Sequence, residues 1–210
     1  MMKINEIFHS IQGEGATMGI PTVFIRLTGC NLDCKWCDTE YAKFQGDKMS
    51  IPQILEEIGK YRCEQVCVTG GEPMFQEEAP RLIHNLLDNG YLVTLETNGS
   101  IGLENLECSP YLMISMDIKC PGSGQADKMN FLNMELLGPT DQLKFIISSQ
   151  EDYDYAKEIL IKYQPDCVIV MTPVDGTDLK ELVEWVLRDK LDARVLPQLH
   201  KIIWGNERAR

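Results

Sequence analysis

Short runs of apolar and β-branched residues alternate along this chain with stretches whose apolar positions recur at helical spacing, and the two periods separate strands from helices. Residues 3–10 read as a short strand or extended lead-in, and residues 22–28 as a buried strand. Ser50 is placed to cap a helix over 51–61, with Pro52 in its first turn and Ile51, Ile54, Leu55 and Ile58 on one face. Residues 65–69 form the next strand. A helix over 77–89 follows, with Leu82, Ile83, Leu86 and Leu87 on its apolar side and Asn89-Gly90 as its stop. Strands follow over 91–97, 112–118 and 143–147, then a helix over 151–163, a strand over 167–171, a helix over 177–189 and a last short strand over 193–196. Residues 201–210 read as a C-terminal tail, and the Gly-, Met-, Asn- and Pro-rich stretch 121–140 has no assignable period. Strands alternating with helices imply a mainly parallel sheet. About six parallel strands are too few to close an eight-stranded barrel, so the expected fold is α/β, an incomplete, open (β/α) barrel. No linker or low-complexity tract interrupts it, so residues 1–210 are expected to form a single domain.

Composition narrows the setting. The chain has 210 residues, 44% of them hydrophobic and 25% charged, as in a globular protein with a sizeable core. It contains no apolar run of about eighteen residues, so no membrane span is expected. The first residues lack the apolar stretch of a secretory signal, which points to the reducing cytoplasm. Eight cysteines in that compartment are not expected to form a disulfide framework. Cys63, Cys67, Cys108, Cys120 and Cys167 are scattered and read mostly as small buried hydrophobes. A net charge of −12 without clustered Lys and Arg argues against a nucleic-acid surface.

The polar motifs all follow the C-terminal ends of strands, where open α/β folds and barrels place their chemistry. The first is Cys30-x3-Cys34-x2-Cys37, in a loop where Gly29, Asn31 and Asp33 favour tight turns. Structural zinc sites and ordinary iron–sulfur carriers take four protein ligands. Three thiolates suggest instead a cluster with one iron left open, although a zinc loop lacking its fourth ligand or three unrelated buried cysteines would share the spacing. The second motif is Gly70-Gly71-Glu72-Pro73. Its glycines allow backbone to approach a ligand closely, and strand-edge carbonyls and the Glu72 carboxylate are acceptors suited to an ammonium group.

Together the two motifs resemble the signatures of the radical S-adenosylmethionine enzymes. The flanks are similar to one branch, the 7-carboxy-7-deazaguanine synthases. These flanks are Ile11-Gln12-Gly13-Glu14-Gly15, Arg26, Cys37-Asp38-Thr39 and Gln198-Leu199-His200-Lys201, and the resemblance spans residues 4–205. It implies a radical ring contraction of 6-carboxy-5,6,7,8-tetrahydropterin to 7-carboxy-7-deazaguanine, with loss of ammonia. The resemblance further implies that hydrogen is taken from carbon 6 of the pterin and that the S-adenosylmethionine is re-formed in each turnover. It also implies a [4Fe–4S] cluster on Cys30, Cys34 and Cys37, and magnesium at Thr39. Contacts to S-adenosylmethionine are implied at Trp36, Cys37, Asp38, Gly70, Gly71, Glu96, Ser115, Asp117 and Lys119. Substrate contacts are implied at Ile11, Gln12, Gly13, Glu14, Arg26, Thr69 and His200, with Glu14 and Arg26 as the catalytic pair. An electron donor such as a flavodoxin or ferredoxin and a homodimer are further expectations.

Side-chain chemistry agrees with several of these roles. Arg26 lies in an otherwise apolar strand and needs a partner, either the substrate carboxylate or a structural acid. Gln12 and Glu14 carry groups matched to an amino-pyrimidinone edge. Trp36 would shield the cluster with its ring and meet adenine through its backbone. His200 and Lys201 would bring positive charge to the site or close the barrel. Two rival functions remain at this point. One is a glycyl-radical activating enzyme, which has no use for Gln12, Glu14 and Arg26. The other is an electron carrier with Cys63 or Cys120 as fourth ligand.

Overall fold

A computed structural model describes residues 1–174 and 178–209. Among the described residues nine strands form one sheet: β1 (Met2–Ile11), β2 (Pro21–Leu27), β3 (Asp47–Met49), β4 (Gln65–Gly70), β5 (Leu92–Thr97), β6 (Leu112–Ile118), β7 (Gln142–Ile147), β8 (Val168–Pro173) and β9 (Arg194–Val195). Their spatial order is β3-β1-β2-β4-β5-β6-β7-β8-β9. From β2 through β9 every pairing is parallel, while β1 pairs antiparallel with β2 and β3. β3 and β9 are separate edges, so the sheet is open, as the strand count implied. Seven strands run parallel once the two-residue β9 is counted.

The helices are α1 (Ile51–Gly59), α2 (Ala79–Asp88), α3 (Gln150–Tyr163), α4 (Leu179–Asp189) and α5 (Leu199–Trp204). Local chemistry sets their limits. Ser50 accepts from the Gln53 N–H while the Gln53 side chain accepts from the Ser50 N–H, a reciprocal cap that starts α1. Gly90, at φ 82°, stops α2 where a side chain would be strained. The Asp178 side chain accepts from the Lys180 N–H and starts α4, whereas Thr177, the expected first residue of that helix, lies outside the described residues. Two expectations need correction. Residues 201–210 are not simply a tail, because α5 occupies Leu199–Trp204; six residues are too few to show a helical period. The stretch 121–140 holds three short 3₁₀ turns, Pro121–Ser123, Ala126–Lys128 and Phe131–Leu136.

Alternation along the strands decides where core and cavity lie. Val23, Ile25, Leu27, Val66, Val68, Val93, Leu95, Met116, Ile118, Leu143, Phe145 and Ile147 belong to the main core, which also takes Ile54, Ile58, Leu82, Ile83 and Leu86 from the helices. The intervening residues point to the opposite, concave face: Phe24, Arg26, Cys67, Thr69, Thr94, Glu96, Ser115, Asp117, Gln142 and Lys144. Phe8 stacks on Phe24 there, with ring centroids 5.0 Å apart. One face of each strand thus builds the fold and the other builds a polar interior.

Candidate active site

The concave face and the loops at the strand ends enclose a cavity of about 640 Å³. Gly29 leaves β2 at φ 103°, in the left-handed region that favours glycine. Its N–H donates to the Ala42 carbonyl at 2.9 Å, and its carbonyl accepts from the Glu72 N–H at 2.8 Å. The loop that follows brings Cys30, Cys34 and Cys37 to the cavity as free thiols. Burial pushes the Cys30 and Cys34 thiols up, while Lys43 near Cys30 and Lys119 near Cys34 act in the opposite sense and favour thiolate. Asn98 reaches the Cys30 sulfur at 3.9 Å and the Asn31 side chain at 3.1 Å.

The stretch 121–140 has a place here. The Lys35 N–H donates to the Ser123 carbonyl at 3.1 Å, and any side chain on Gly122 would overlap the Trp36 ring. Trp36 therefore packs on this turn beside the cysteines. The fourth-ligand reading does not survive: Cys63 lies against the carbonyls of Pro21 and Gln65, Cys120 is buried, and neither lines the cavity.

At the end of β4, a Cβ on Gly71 would overlap the Gly29 carbonyl and the Cys30 side chain, so the glycine lets this turn lie against the cysteine loop. Glu72 corrects the expectation that its carboxylate meets a ligand. It is fully buried and accepts from the Met74 N–H at 2.9 Å, the Thr97 hydroxyl at 2.8 Å and the Asn98 N–H at 2.6 Å. Burial pushes its carboxyl up to about 7 against those three donors. Glu72 braces the ends of β4 and β5 instead.

Ile11, Gln12, Gly13 and Glu14 line the other side of the cavity. Gln12 is directed inward: its carbonyl oxygen accepts from the Gly13 N–H at 2.8 Å, and its amide donates to Glu96 at 3.1 Å. Thr69 donates to the second Glu96 oxygen at 3.2 Å. Gly13 leaves room for the His200 ring, and its carbonyl accepts from the Leu199 N–H at 2.9 Å, which seats α5 on the loop. The Glu14 carboxylate sits 3.0 Å from the Lys144 ammonium and accepts from Gln198 at 2.7 Å. Burial would raise its pKa, but Lys144 and Gln198 hold it below the usual carboxylate value.

Arg26 lines the cavity and also has an acid partner, donating from Nε to Glu6 at 2.8 Å. Glu6 is its cross-strand neighbour and accepts from the Tyr41 hydroxyl at 3.1 Å as well. Arg208 closes this corner, 3.7 Å from Glu6 and stacked 3.7 Å over the Tyr41 ring. On β6, Asp117 pairs with Lys119 at 2.7 Å and Lys144 at 3.2 Å. Burial opposes its ionisation, yet the two ammonium groups hold its carboxyl at about 2. Ser115 needs correction as a ligand contact: it is fully buried behind the cavity lining, with its hydroxyl accepting from Gln142 at 2.7 Å.

Thr39 and Asp38 stand at the cavity mouth, the Thr39 hydroxyl donating to Asp38 at 3.2 Å. Asp38, Glu14 and His200 each bring one donor atom within 4.8 Å of the others. Sequence reasoning missed Glu6, Tyr41, Asn98, Gln142 and Lys144. For Gln142 and Lys144 a signal existed: polar residues two apart in an otherwise apolar strand.

Comparison with known proteins matches this geometry. Residues 24–188 fit the Radical SAM superfamily. The chain is 39% identical to a 7-carboxy-7-deazaguanine synthase of Methanospirillum hungatei, over 96% of this chain and 85% of that protein. It is 36% identical to one of Thermoplasma acidophilum, over 98% of each chain. Its fold resembles the crystal structure of QueE from Escherichia coli, with a TM-score of 0.77 and 25% identity over 95% of this chain and 94% of that one. Streptococcus suis SuiB bound to S-adenosylmethionine shares the fold at a TM-score of 0.58 and 12% identity, over 81% of this chain and 48% of that one. Three cysteines on one loop, a glycine turn packed against them and a ligand-sized cavity beneath are the features this likeness spans, and the chain belongs to the radical S-adenosylmethionine superfamily and, within it, to the 7-carboxy-7-deazaguanine synthase family.

Proposed function

We propose that this single-domain protein converts 6-carboxy-5,6,7,8-tetrahydropterin to 7-carboxy-7-deazaguanine with release of ammonia, a radical lyase reaction of 7-deazapurine biosynthesis, inside the cavity just described. The observation that carries this reading is the meeting, in one cavity, of the three-cysteine loop with the Ile11–Glu14 loop and Arg26. The donor set suits a cluster: three thiols on one loop, with cations near two of them and, among the described residues, no fourth cysteine lining the cavity. When bound, the cluster and S-adenosylmethionine supply a carbon-centred radical able to take hydrogen from the pterin.

The chain's own residues bind, orient and shield. Gly70 and Gly71 offer backbone to the cofactor beside the cysteines, Trp36 and Asp38 flank it, and Asp117, Lys119 and Glu96 face it from the strand ends. Arg26 keeps its Nε on Glu6 and turns the rest of its guanidinium toward the substrate carboxylate. Glu14, held as an anion by Lys144, accepts from the amino edge of the pterin. Gln12 holds the loop in shape and Thr69 and His200 complete the wall. The oxygens of Thr39, with Asp38 beside it, suit a magnesium ion that keeps water and substrate oxygens as its other ligands. A flavodoxin or ferredoxin is the proposed electron donor, and a homodimer in a reducing cytoplasm the proposed state; among the described residues no helix is long and apolar enough to cross a membrane.

Anaerobic incubation of the reconstituted protein with the pterin, S-adenosylmethionine and a reductant tests the reading by mass detection of the deazapurine. Product together with one ammonia is the expected result. Cleavage of S-adenosylmethionine with the pterin unchanged would point to a different substrate.

A further inference from the structure

Lys144 stands on β7 directly opposite Asp117 of β6, with its side chain 4% exposed. Its ammonium lies 3.0 Å from a Glu14 oxygen and 3.2 Å from an Asp117 oxygen. Two residues earlier on the same face, Gln142 stands opposite Ser115. It accepts from the Ala16 N–H at 2.7 Å and donates to the Ser115 hydroxyl at 2.7 Å. β7 therefore carries two parallel links between the loop after β1 and strand β6. The Gln142 link is neutral and joins backbone to a buried hydroxyl. The Lys144 link is charged and joins two carboxylates that both line the cavity.

We infer that Lys144 is a positioning residue that makes pterin binding and S-adenosylmethionine binding mutually dependent. The inference rests on the proposed function, which gives Glu14 to the pterin and Asp117 with Lys119 to the cofactor. A buried ammonium is costly without partners, so its charge stays divided between Glu14 and Asp117. It is a compact charge with rotatable donors, so the division responds to what each carboxylate meets. A ligand that draws on Glu14 changes what Lys144 offers Asp117, and the reverse holds by thermodynamic linkage.

The test is binding, without turnover. Protein reconstituted with its cluster and kept without reductant is titrated with 6-carboxy-5,6,7,8-tetrahydropterin, in the presence and absence of S-adenosylmethionine. The wild type's affinity for the pterin is expected to change about fivefold or more, in either direction, when S-adenosylmethionine is present, the lower end of usual coupling. Lys144→Met should bring that ratio close to one. A purely structural role would weaken both affinities and leave their ratio unchanged. An unchanged ratio in a folded Lys144→Met protein, or a ratio of one in the wild type, would overturn the inference. Should the Met variant not fold, Lys144→Arg decides: its rigid fork keeps the charge but not the ammonium's freedom, so a ratio nearer one supports the coupling and an unchanged one rejects it. If the wild type forms deazapurine but shows no coupling, only the inference fails; if it neither binds the pterin nor forms product, the functional reading fails as well.

Discussion

Arg26 faces Glu6 across β1 and β2, and that pairing decides how its substitution should be read. Arg26→Lys keeps a charge for Glu6 but loses the planar fork, so pterin affinity is expected to fall about ten- to a hundredfold, the equivalent of about 1.5–3 kcal/mol for a charge-assisted contact. Cluster content and S-adenosylmethionine affinity should not change. A tetrahydropterin lacking the 6-carboxylate should bind wild type and variant equally poorly; if it loses as much affinity as the true substrate, Arg26 serves Glu6 alone. The cysteines give a sharper contrast. Cys30→Ala, Cys34→Ala or Cys37→Ala should each abolish the intact cluster, measured as bound iron and visible absorbance, whereas Cys63→Ala should retain it. Equal loss in Cys63→Ala would mean a fourth ligand. The need of Arg26 for a partner was legible in the sequence, because a charge in an apolar strand must be paired. That the partner is Glu6 was not, since strand register is a property of the folded sheet. Glu72 shows the same limit: its residue type suits a ligand, but only the fold reveals three donors turning it inward.

The strands and the longer helices follow from hydrophobic period, and their observed bounds lie within a few residues of the expected ones. What escaped were the short pieces, β3 and α5, whose few residues carry no period and which exist because neighbours hold them. β3 pairs with β1, and α5 is seated by the Gly13 carbonyl. The stretch 121–140 escaped for a related reason: its role is a packing one, with the Gly122 turn lying under Trp36. At this scale the glycine turn after β4 is the sensitive joint. Gly71→Ala would force apart the Gly29 carbonyl and the Cys30 side chain, both of which approach where its Cβ must go. The expected result is lower bound iron per chain with near-normal far-ultraviolet circular dichroism. A variant that reconstitutes its full cluster would show that the two loops can separate without harm.

Across the whole molecule, the parallel pairings place the C-terminal ends of β2 and of β4 through β9 on one rim, where the cysteine loop and the glycine turn meet, while β1, antiparallel to β2, brings the Ile11–Glu14 loop to the cavity from the opposite end. The interior of that rim is charged, and this should be visible in acid. Asp117 is held at about 2 in the fold against a usual 3.8, so it contributes stability that is complete above 3.8 and lost as pH falls through about 2. Asp117→Asn should lower stability near neutrality, where Lys119 and Lys144 lose their partner. It should also flatten the decline across that acid window, as read from thermal melts; an equally steep decline would place the acid sensitivity elsewhere. The claim that joins residue, element and molecule is that the pterin sits in this cavity with carbon 6 against the cofactor. Turnover with pterin deuterated at carbon 6, followed by mass analysis of the S-adenosylmethionine pool, measures that contact directly. Deuterium in S-adenosylmethionine, accumulating with product, is the predicted result; product formed while S-adenosylmethionine stays unlabelled would contradict it.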